Sequence, residues 1–250
     1  MPYGRVLVVD DVETNVYVAK GMLMPYGLQI DTASNGLEVI DKVKNGNVYD
    51  IIFMDHMMPK MDGIEATRII RSMGYKGIVI ALTANALVGQ AERFMKEGFD
   101  GFIPKPTDSR DIDAALIKHI RNKQPPEVIE AAYREQSPSE EPQDAQALET
   151  KASALTDLEE SFILDAENTI DTLESMEIGQ NMSSSDIDTY EIMVHGMKSA
   201  LAIIRENSLS EVALKLEHAA RGMNMALISE KTPAFVDNLK SIVQKLKSRA

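Results

Sequence analysis

The sequence predicts two folds in one chain: an α/β doubly wound five-stranded parallel sheet, followed by an all-α four-helix bundle. Short β-branched runs alternate five times with helical patterns up to residue 123, whereas only the helical period continues after residue 152. Between these parts the composition becomes acidic and proline-containing. We therefore predict domains at residues 1–123 and 153–250, joined by a linker at 124–152.

The elements of the first half follow from short apolar runs that end at turns or polar residues. The predicted strands cover residues 6–9, 28–33, 51–54, 77–82 and 101–103. The predicted helices cover residues 16–24, 37–44, 62–70, 87–97 and 108–122. Asp62 and Glu65 have the spacing of an N-cap at the third of these helices. Strands that alternate with helices predict a parallel sheet with helices on both faces.

The second half contains four amphipathic stripes, at residues 155–176, 187–204, 208–220 and 232–246. Ser208 and Glu211 predict a capping box at the start of the third helix. Thr232 and Pro233 predict an N-cap and a first-turn proline at the start of the fourth. Within the linker, residues 127–136 have the pattern of a short helix. Short loops between the four stripes predict an antiparallel bundle.

Composition excludes several classes of function. The net charge is −13 and no run of Lys or Arg occurs, so we expect no direct contact with nucleic acid or an anionic membrane. The absence of cysteine excludes disulfides, thiolate metal sites and cysteine nucleophiles. We expect no signal peptide, and no apolar run reaches the ~18–20 residues that span a bilayer. We therefore expect a cytoplasmic protein.

Polar side chains follow four of the five predicted strands. Asp10 and Asp11 follow the first strand, Asp55 the third, Thr83 the fourth and Lys105 the fifth. Because parallel strands joined by right-handed crossovers end at the same edge of a sheet, we expect these side chains to lie close together.

This combination of groups suits phosphoryl transfer. Three neighbouring carboxylates repel one another and favour a cation, and oxygen ligands suit Mg²⁺. A carboxylate such as Asp55 can also attack phosphorus and form an aspartyl phosphate. Lys105 and Thr83 would then stabilise the transferring group. The alternatives are a turn-capping aspartate, a solvated lysine and a strand-end threonine.

Four motifs in the first half resemble those of the receiver domain of two-component response regulators, a flavodoxin-like fold. They occur in the family's order over about residues 4–123. The motifs are Val9-Asp10-Asp11, Met54-Asp55 with Met58-Pro59, Ala81-Leu82-Thr83-Ala84, and Pro104-Lys105-Pro106.

The resemblance implies a role for each of these site residues. Asp55 would be the phosphoacceptor, and Asp11, Asp55 and the backbone carbonyl of Met57 would hold Mg²⁺. Asp10 would support this metal site.

The same resemblance assigns the remaining side chains at this edge. Thr83 and Lys105 would engage the phosphoryl group, and Phe102 occupies the switch-aromatic position of the family. His56 adjoins Asp55, but a neighbour in an extended segment points to the opposite side, so we expect a surface or packing role.

His195 is the residue of interest in the bundle. It follows the core residue Val194, so its ring should project about 100° off the buried stripe, toward solvent. Lys198 and Ser199 lie on the same side of the helix. A neutral imidazole beside an ammonium can accept a phosphoryl group, although these residues by themselves favour an ordinary surface histidine near a surface lysine.

The segment from His195 to Ser199 is similar to the His-x-x-Lys-Gly/Ser motif of histidine-containing phosphotransfer (HPt) domains. The resemblance covers about residues 153–250 and implies that His195 is a phosphoacceptor and that Lys198 neutralises phosphoryl charge. Ser199 occupies the position where glycine is frequent in this family. Its larger side chain leaves less room for a partner to reach His195.

Together the two halves resemble the C-terminal part of a hybrid sensor histidine kinase. We expect a phosphorelay protein: Asp55 accepts a phosphoryl group from the phosphohistidine of an upstream kinase, and His195 passes it to a downstream receiver domain. The chain contains no ATP-binding kinase domain, so we expect no self-phosphorylation from ATP.

Two other functions fit parts of this pattern. In the first, the bundle is an interaction module controlled by phosphorylation of Asp55, and His195 is incidental. In the second, the protein is a haloacid-dehalogenase-like phosphatase, which needs a second aspartate two residues after the nucleophile. Met57 occupies that position here.

Overall fold

The computed structural model of the chain describes residues 1–83, 90–105, 107–135, 144–179 and 181–249. Ala84 and Pro106 of the motifs, and Leu87, where the fourth helix is predicted to begin, lie outside the described residues. The chain divides into two compact units, the first formed by Met1–Asp11 and Val16–Gln146 and the second by Val12–Asn15 and Ala147–Ala250.

The N-terminal unit is built on a five-stranded parallel sheet with the strand order β2-β1-β3-β4-β5. This confirms the predicted doubly wound α/β fold. The strands are β1 (Arg5–Val9), β2 (Gln29–Ala33), β3 (Ile51–Asp55), β4 (Ile78–Thr83) and β5 (Gly101–Pro104).

Helices follow the strands and cover both faces of the sheet. They are α1 (Glu13–Leu23), α2 (Gly36–Lys44), α3 (Gly63–Ser72), α4 (Gln90–Lys96) and α5 (Ser109–His119). Alternate residues of β1 enter different cores: Leu7 and Val9 pack on one face of the sheet, and Val6 and Val8 on the other. Burial on both faces explains why these strands are continuous apolar runs rather than alternating ones.

Polar caps set the beginnings of the helices in this unit. The Asp62 carboxylate accepts a hydrogen bond from the Glu65 backbone N–H at 2.7 Å, as expected for the start of α3. Asn35 caps α2 in the same way, and Asp108 caps α5. Each cap satisfies a backbone donor that the first turn leaves without a partner.

The sheet register brings the predicted site residues to one edge. Asp55 is the last residue of β3 and lies opposite Leu82 of β4, and Thr83 lies opposite Pro104 of β5. The Lys105 backbone N–H donates to the Thr83 carbonyl at 2.7 Å, which extends this pairing to the lysine.

The range predicted as a linker contains helical residues. Helix α6 spans Pro126–Glu135, near the short helix expected there, and α7 spans Asp144–Ser175 and so begins inside the range. In the sequence, Pro125 and Pro126 indicate only the end of the fifth helix. Proline is also favoured at the first position of a helix, where its missing N–H costs nothing, and Pro126 begins α6.

The C-terminal unit is helical. After α7 it contains α8 (Ser184–Ile203), α9 (Asn207–Arg221) and α10 (Met225–Lys247). One core joins apolar residues from each of them. Its fully buried members include Phe162 and Ala166 of α7, Val194 and Leu201 of α8, Ala213 and Leu216 of α9, and Phe235 and Leu239 of α10.

The predicted start of the last helix is wrong. Helix α10 begins at Met225, where Asn224 accepts a hydrogen bond from the Leu227 N–H, so Pro233 lies inside the helix. Thr232 is buried and makes polar contacts, and it does not cap the start of α10. Its hydroxyl donates to the Ile228 carbonyl and lies 2.6 Å from the hydroxyl of Tyr190 on α8.

The predicted capping box at Ser208 and Glu211 is also wrong, because α9 already begins at Asn207 and its N-cap residue makes no side-chain capping bond. A capping box is found at the start of α8 instead. There Ser183 and Asp186 exchange side-chain and backbone hydrogen bonds.

Within the described part of the chain, no helix combines the length and the apolar character needed to cross a bilayer.

Gly63 offers a test of the packing next to Asp55. A Cβ atom at Gly63 would lie 1.9 Å from the Asp55 carbonyl oxygen, so α3 and β3 must separate if Gly63 is replaced. We expect Gly63→Ala to lower the free energy of unfolding by roughly 1–3 kcal/mol in urea titrations followed by circular dichroism.

Gly21→Ala is the matched control, because Gly21 lies in α1 with no atom near its Cβ position. It should raise the free energy of unfolding by up to about 1 kcal/mol. Equal effects of the two substitutions would contradict the close approach of α3 to Asp55.

Candidate functional site

Asp55 lies at the carboxyl edge of the sheet and is 1% exposed. Its Oδ1 accepts a hydrogen bond from the Met57 backbone N–H at 3.2 Å, and its Oδ2 accepts one from the Lys105 ammonium at 2.6 Å. Both carboxylate oxygens are therefore oriented by groups of the loops that follow β3 and β5.

Lys105 bridges two carboxylates. Its Nζ also lies 2.6 Å from Oδ2 of Asp10, and all three side chains are almost fully buried. Burial alone would lower the pKa of Lys105, but the charges and hydrogen bonds of Asp10 and Asp55 raise it above its usual value. The lysine is therefore a permanent positive charge at this site.

Asp11 completes a cluster of three carboxylates with Asp10 and Asp55. One oxygen of each lies within 4.8 Å of the others. Burial raises the pKa of Asp11 well above its usual value, and the charges of Asp10 and Asp55 raise it further. When all are ionised, three negative charges against the one positive charge of Lys105 leave two in excess. An all-oxygen cluster with this excess of negative charge fits a hard divalent cation such as Mg²⁺.

Thr83 and Phe102 lie on the strands next to this cluster. Thr83 is fully buried at the end of β4, and its carbonyl is held by the Lys105 N–H. Phe102 lies on β5 opposite Ala81, and 36% of its surface is exposed. The structure thus places the predicted residues of the N-terminal unit at the predicted edge, with a partly exposed aromatic residue on the edge strand.

In the C-terminal unit, the structure corrects the expectation that His195 projects into solvent. His195 is 2% exposed. Helix α9 packs against α8, and Glu217 of α9 places its Oε1 2.8 Å from the Nδ1 of His195. The helical period sets only the rotation of the ring about α8, whereas its exposure also depends on α9, which packs beside it.

Glu217 is a residue that the sequence analysis missed. Its Oε2 accepts a hydrogen bond from Lys198 at 2.6 Å, and its Oε1 accepts one from Arg221 at 2.5 Å. Burial alone would raise the pKa of Glu217, but the hydrogen bonds from His195 and Lys198 lower it to about 2. Its position four residues before Arg221 was the one available signal, and that spacing is common on helix surfaces.

His195 and Lys198 therefore belong to one polar cluster, as the motif suggested, but a carboxylate joins them. The Lys198 ammonium lies 3.4 Å from the Nδ1 of His195 and closer to Glu217. A carboxylate accepts hydrogen bonds but does not donate them, so the Nδ1 of His195 carries the hydrogen and its lone pair lies on Nε2.

Comparison with known proteins identifies the N-terminal unit. Residues 6–117 match the model of the response regulator receiver domain family. The two-component response regulator ORR41 of Oryza sativa subsp. japonica is 37% identical over 117 residues, which cover 46% of this chain and 92% of that protein. The probable histidine kinase 1 of Oryza sativa subsp. indica is 32% identical over 150 residues, covering 47% of this chain but 15% of that kinase.

A solved structure is similar over the same part of the chain. It is the receiver domain of the sensor histidine kinase PA1611 from Pseudomonas aeruginosa PAO1, with a magnesium ion coordinated in its active site cleft. That chain is 30% identical, with a TM-score of 0.43, and the match covers 47% of this chain and 98% of the other. Because its first half matches the family model and nearly the whole of ORR41, this chain belongs to the response regulator receiver family of two-component signalling.

Proposed function

We propose that this protein is a phosphorelay component whose first phosphoryl station is Asp55. The observation that carries the proposal is the Lys105 ammonium held 2.6 Å from both Asp10 and Asp55. A buried positive charge beside a nucleophilic carboxylate stabilises the oxygens of a phosphoryl group during transfer. The donor that we propose is the phosphohistidine of an upstream histidine kinase.

The transfer can be written with the residues of this chain. A carboxylate oxygen of Asp55 forms a bond to phosphorus while the bond from phosphorus to the donor's imidazole nitrogen breaks. That nitrogen keeps the bonding electron pair. The Lys105 ammonium and the Thr83 hydroxyl would contact the oxygens of the phosphoryl group, and the Met57 N–H orients the other oxygen of Asp55.

We further propose that the reaction depends on Mg²⁺. Asp11, Asp55 and the backbone carbonyl of Met57 would hold the ion, and Asp10 would support the site through its contact with Lys105. When bound, Mg²⁺ would neutralise negative charge on the phosphoryl oxygens. The ion would also offset the negative charges of Asp10 and Asp55, which add to the effect of burial in raising the pKa of Asp11.

The pH dependence of Mg²⁺ binding tests this site. Because the pKa of Asp11 is raised, a proton competes with the ion, so the affinity should increase as the pH rises through that pKa. Isothermal titration calorimetry at a mildly acidic and a mildly alkaline pH should show this increase. Asp11→Asn should weaken binding by about tenfold or more and reduce the pH dependence.

Asp41→Asn is the matched control, since Asp41 lies on the exposed side of α2. It should leave the affinity for Mg²⁺ unchanged. Unchanged binding in Asp11→Asn would exclude Asp11 as a ligand.

Phosphorylation of Asp55 is tested with a small acyl phosphate and Mg²⁺. The wild-type protein should gain a base-labile phosphate of the aspartyl type, and Asp55→Asn should abolish it, while Asp41→Asn keeps it. Base-labile phosphate in Asp55→Asn would place the phosphoacceptor elsewhere.

As a second station we propose His195, in a C-terminal unit that acts as a four-helix HPt domain and transfers to a downstream receiver domain. The supporting observation is the hydrogen bond from Nδ1 to Glu217, which leaves the lone pair on Nε2. Nε2 would form a bond to the phosphorus of an aspartyl phosphate while the bond from that phosphorus to the aspartyl oxygen breaks, and the oxygen would keep the electron pair. Glu217 would stabilise the positive charge of the phosphorylated ring. Because His195 is buried here, transfer requires an arrangement in which this side of α8 is uncovered.

Glu217→Gln tests the role of this carboxylate. The amide cannot balance the positive ring, so phosphorylation of His195 should slow by about tenfold, the effect of losing one charge-assisted hydrogen bond. The measurement is acid-labile, base-stable phosphate from phosphoramidate in an Asp55→Asn background, which removes the aspartyl signal. His195→Gln should abolish this phosphate.

Glu211→Gln is the control, because it makes the same chemical change at an exposed residue of α9. It should leave the rate of His195 phosphorylation unchanged. If His195 is phosphorylated as fast in Glu217→Gln as in Glu211→Gln, the Glu217 carboxylate has no part in the transfer.

The burial of His195 also favours a second function, in which the helical unit is a phosphorylation-controlled interaction module. In that case His195→Gln should leave partner binding and its control by Asp55 intact. Loss of relay to an added receiver domain in His195→Gln supports the HPt function instead.

A further inference from the structure

His56 follows Asp55 directly and connects two strands of the site. Its side chain is 16% exposed, and its Nδ1 lies 3.1 Å from the backbone carbonyl oxygen of Leu82 and 3.5 Å from Oδ1 of Asp55, so the ring does not point away from Asp55 as the sequence predicted. A carbonyl oxygen only accepts hydrogen bonds, so Nδ1 must carry the hydrogen and donate it. Leu82 is the residue before Thr83. The imidazole therefore ties the segment after Asp55 to the backbone that carries the Thr83 hydroxyl.

This bond adds to the sheet pairing where the pairing ends. Asp55 and Leu82 are the last registered pair of β3 and β4, and β4 continues one residue further, to Thr83. The Thr83 carbonyl is held from the other side by the Lys105 N–H. The hydrogen bond from His56 reaches the end of β4 from the β3 side.

An aromatic contact fixes the orientation of the His56 ring. The ring meets Phe94 of α4 edge to face, with centroids 5.7 Å apart and planes at 86°. Phe94 is 3% exposed and makes a similar contact with Phe99, at 5.4 Å. Because Phe94 is itself held by packing, it restrains the plane of the imidazole and directs Nδ1 at Leu82.

We infer that His56 is a positioning residue for phosphoryl transfer to Asp55: its bond to Leu82 holds the Thr83 hydroxyl where the phosphoryl group will lie. This inference rests on the proposed role of Asp55 as phosphoacceptor. Loosely held groups lose much of their catalytic effect, since small displacements of a stabilising donor slow a reaction strongly. The expected consequence is a change in the rate of the bound complex and not in the affinity for donor or Mg²⁺.

Three replacements separate the hydrogen bond from packing. His56→Asn keeps a donor nitrogen at the same number of bonds from Cα as Nδ1. His56→Leu keeps much of the volume without a donor, and His56→Phe keeps an aromatic ring for Phe94 without a donor. His119→Leu, on α5, is the control.

The measurement is the rate of formation of base-labile phosphate from a small acyl phosphate at saturating Mg²⁺, over a range of donor concentrations. His56→Leu and His56→Phe should both lower kcat about tenfold with KM unchanged, the loss expected for one hydrogen bond. His56→Asn should recover kcat to within about threefold of wild type, and His119→Leu should equal wild type.

A second substitution tests the role of the aromatic contact. Phe94→Leu should lower kcat in the wild-type background, because the imidazole is no longer restrained. It should have no further effect in His56→Asn, which has no ring to orient. Equal effects in both backgrounds would mean that Phe94 acts independently of His56.

Several outcomes would overturn the inference. If His56→Asn is as slow as His56→Leu, the ring acts by packing; if His56→Leu and His56→Phe are as fast as wild type, His56 has no positioning role. Both results leave Asp55 phosphorylation intact. Absence of base-labile phosphate in the wild-type protein is a different result, because it removes the proposed function together with this inference.

Discussion

The Lys105 ammonium between Asp10 and Asp55 is the interaction on which the site depends. Each of these groups would be costly to bury alone, and each makes the burial of the others possible. The three residues are far apart in the chain and lie at the ends of three different strands. Their distances are therefore set by the register of the whole parallel sheet, and a shift of any one of the three strands would separate the charges.

The backbone around Asp55 is packed as closely as its side chain. Helix α3 begins against the Asp55 carbonyl, where only a residue without a Cβ fits, and Gly63 occupies that position. On the opposite side, β4 ends one residue beyond its last pair with β3, and the last residue of each strand, Asp55 and Thr83, is polar. The site thus combines rigid strand ends with short segments that extend beyond the ladder. This is the usual location of ligands in open α/β sheets.

The same electrostatic constraint recurs in the helical unit with the opposite sign. Glu217 is a buried carboxylate, and Lys198, Arg221 and the ring of His195 surround it. In the sheet, a buried ammonium requires carboxylates; in the helices, a buried carboxylate requires donors. Each arrangement fixes the orientation of a group that we propose as a phosphoacceptor, the Asp55 carboxylate in one case and the His195 imidazole in the other.

The sequence by itself determined the order of strands and helices in the first half, because buried strands are continuous apolar runs and their period differs from that of helices. It also determined which polar side chains lie at the carboxyl edge, because parallel strands joined by right-handed crossovers end on one side. The predicted edge contains Asp10, Asp11, Asp55, Thr83 and Lys105. Helix starts were less predictable: a proline after a threonine is typical of the first turn of a helix, yet Pro233 lies inside α10.

Only the tertiary structure decided which groups meet across elements. The partner of His195 lies on another helix, and the partner of His56 is a backbone carbonyl that no sequence pattern marks. Such contacts depend on how far each helix is rotated and how two strands are registered at their last residues. Those quantities are set by the packing of the whole core, whereas periodicity and motifs describe one element at a time.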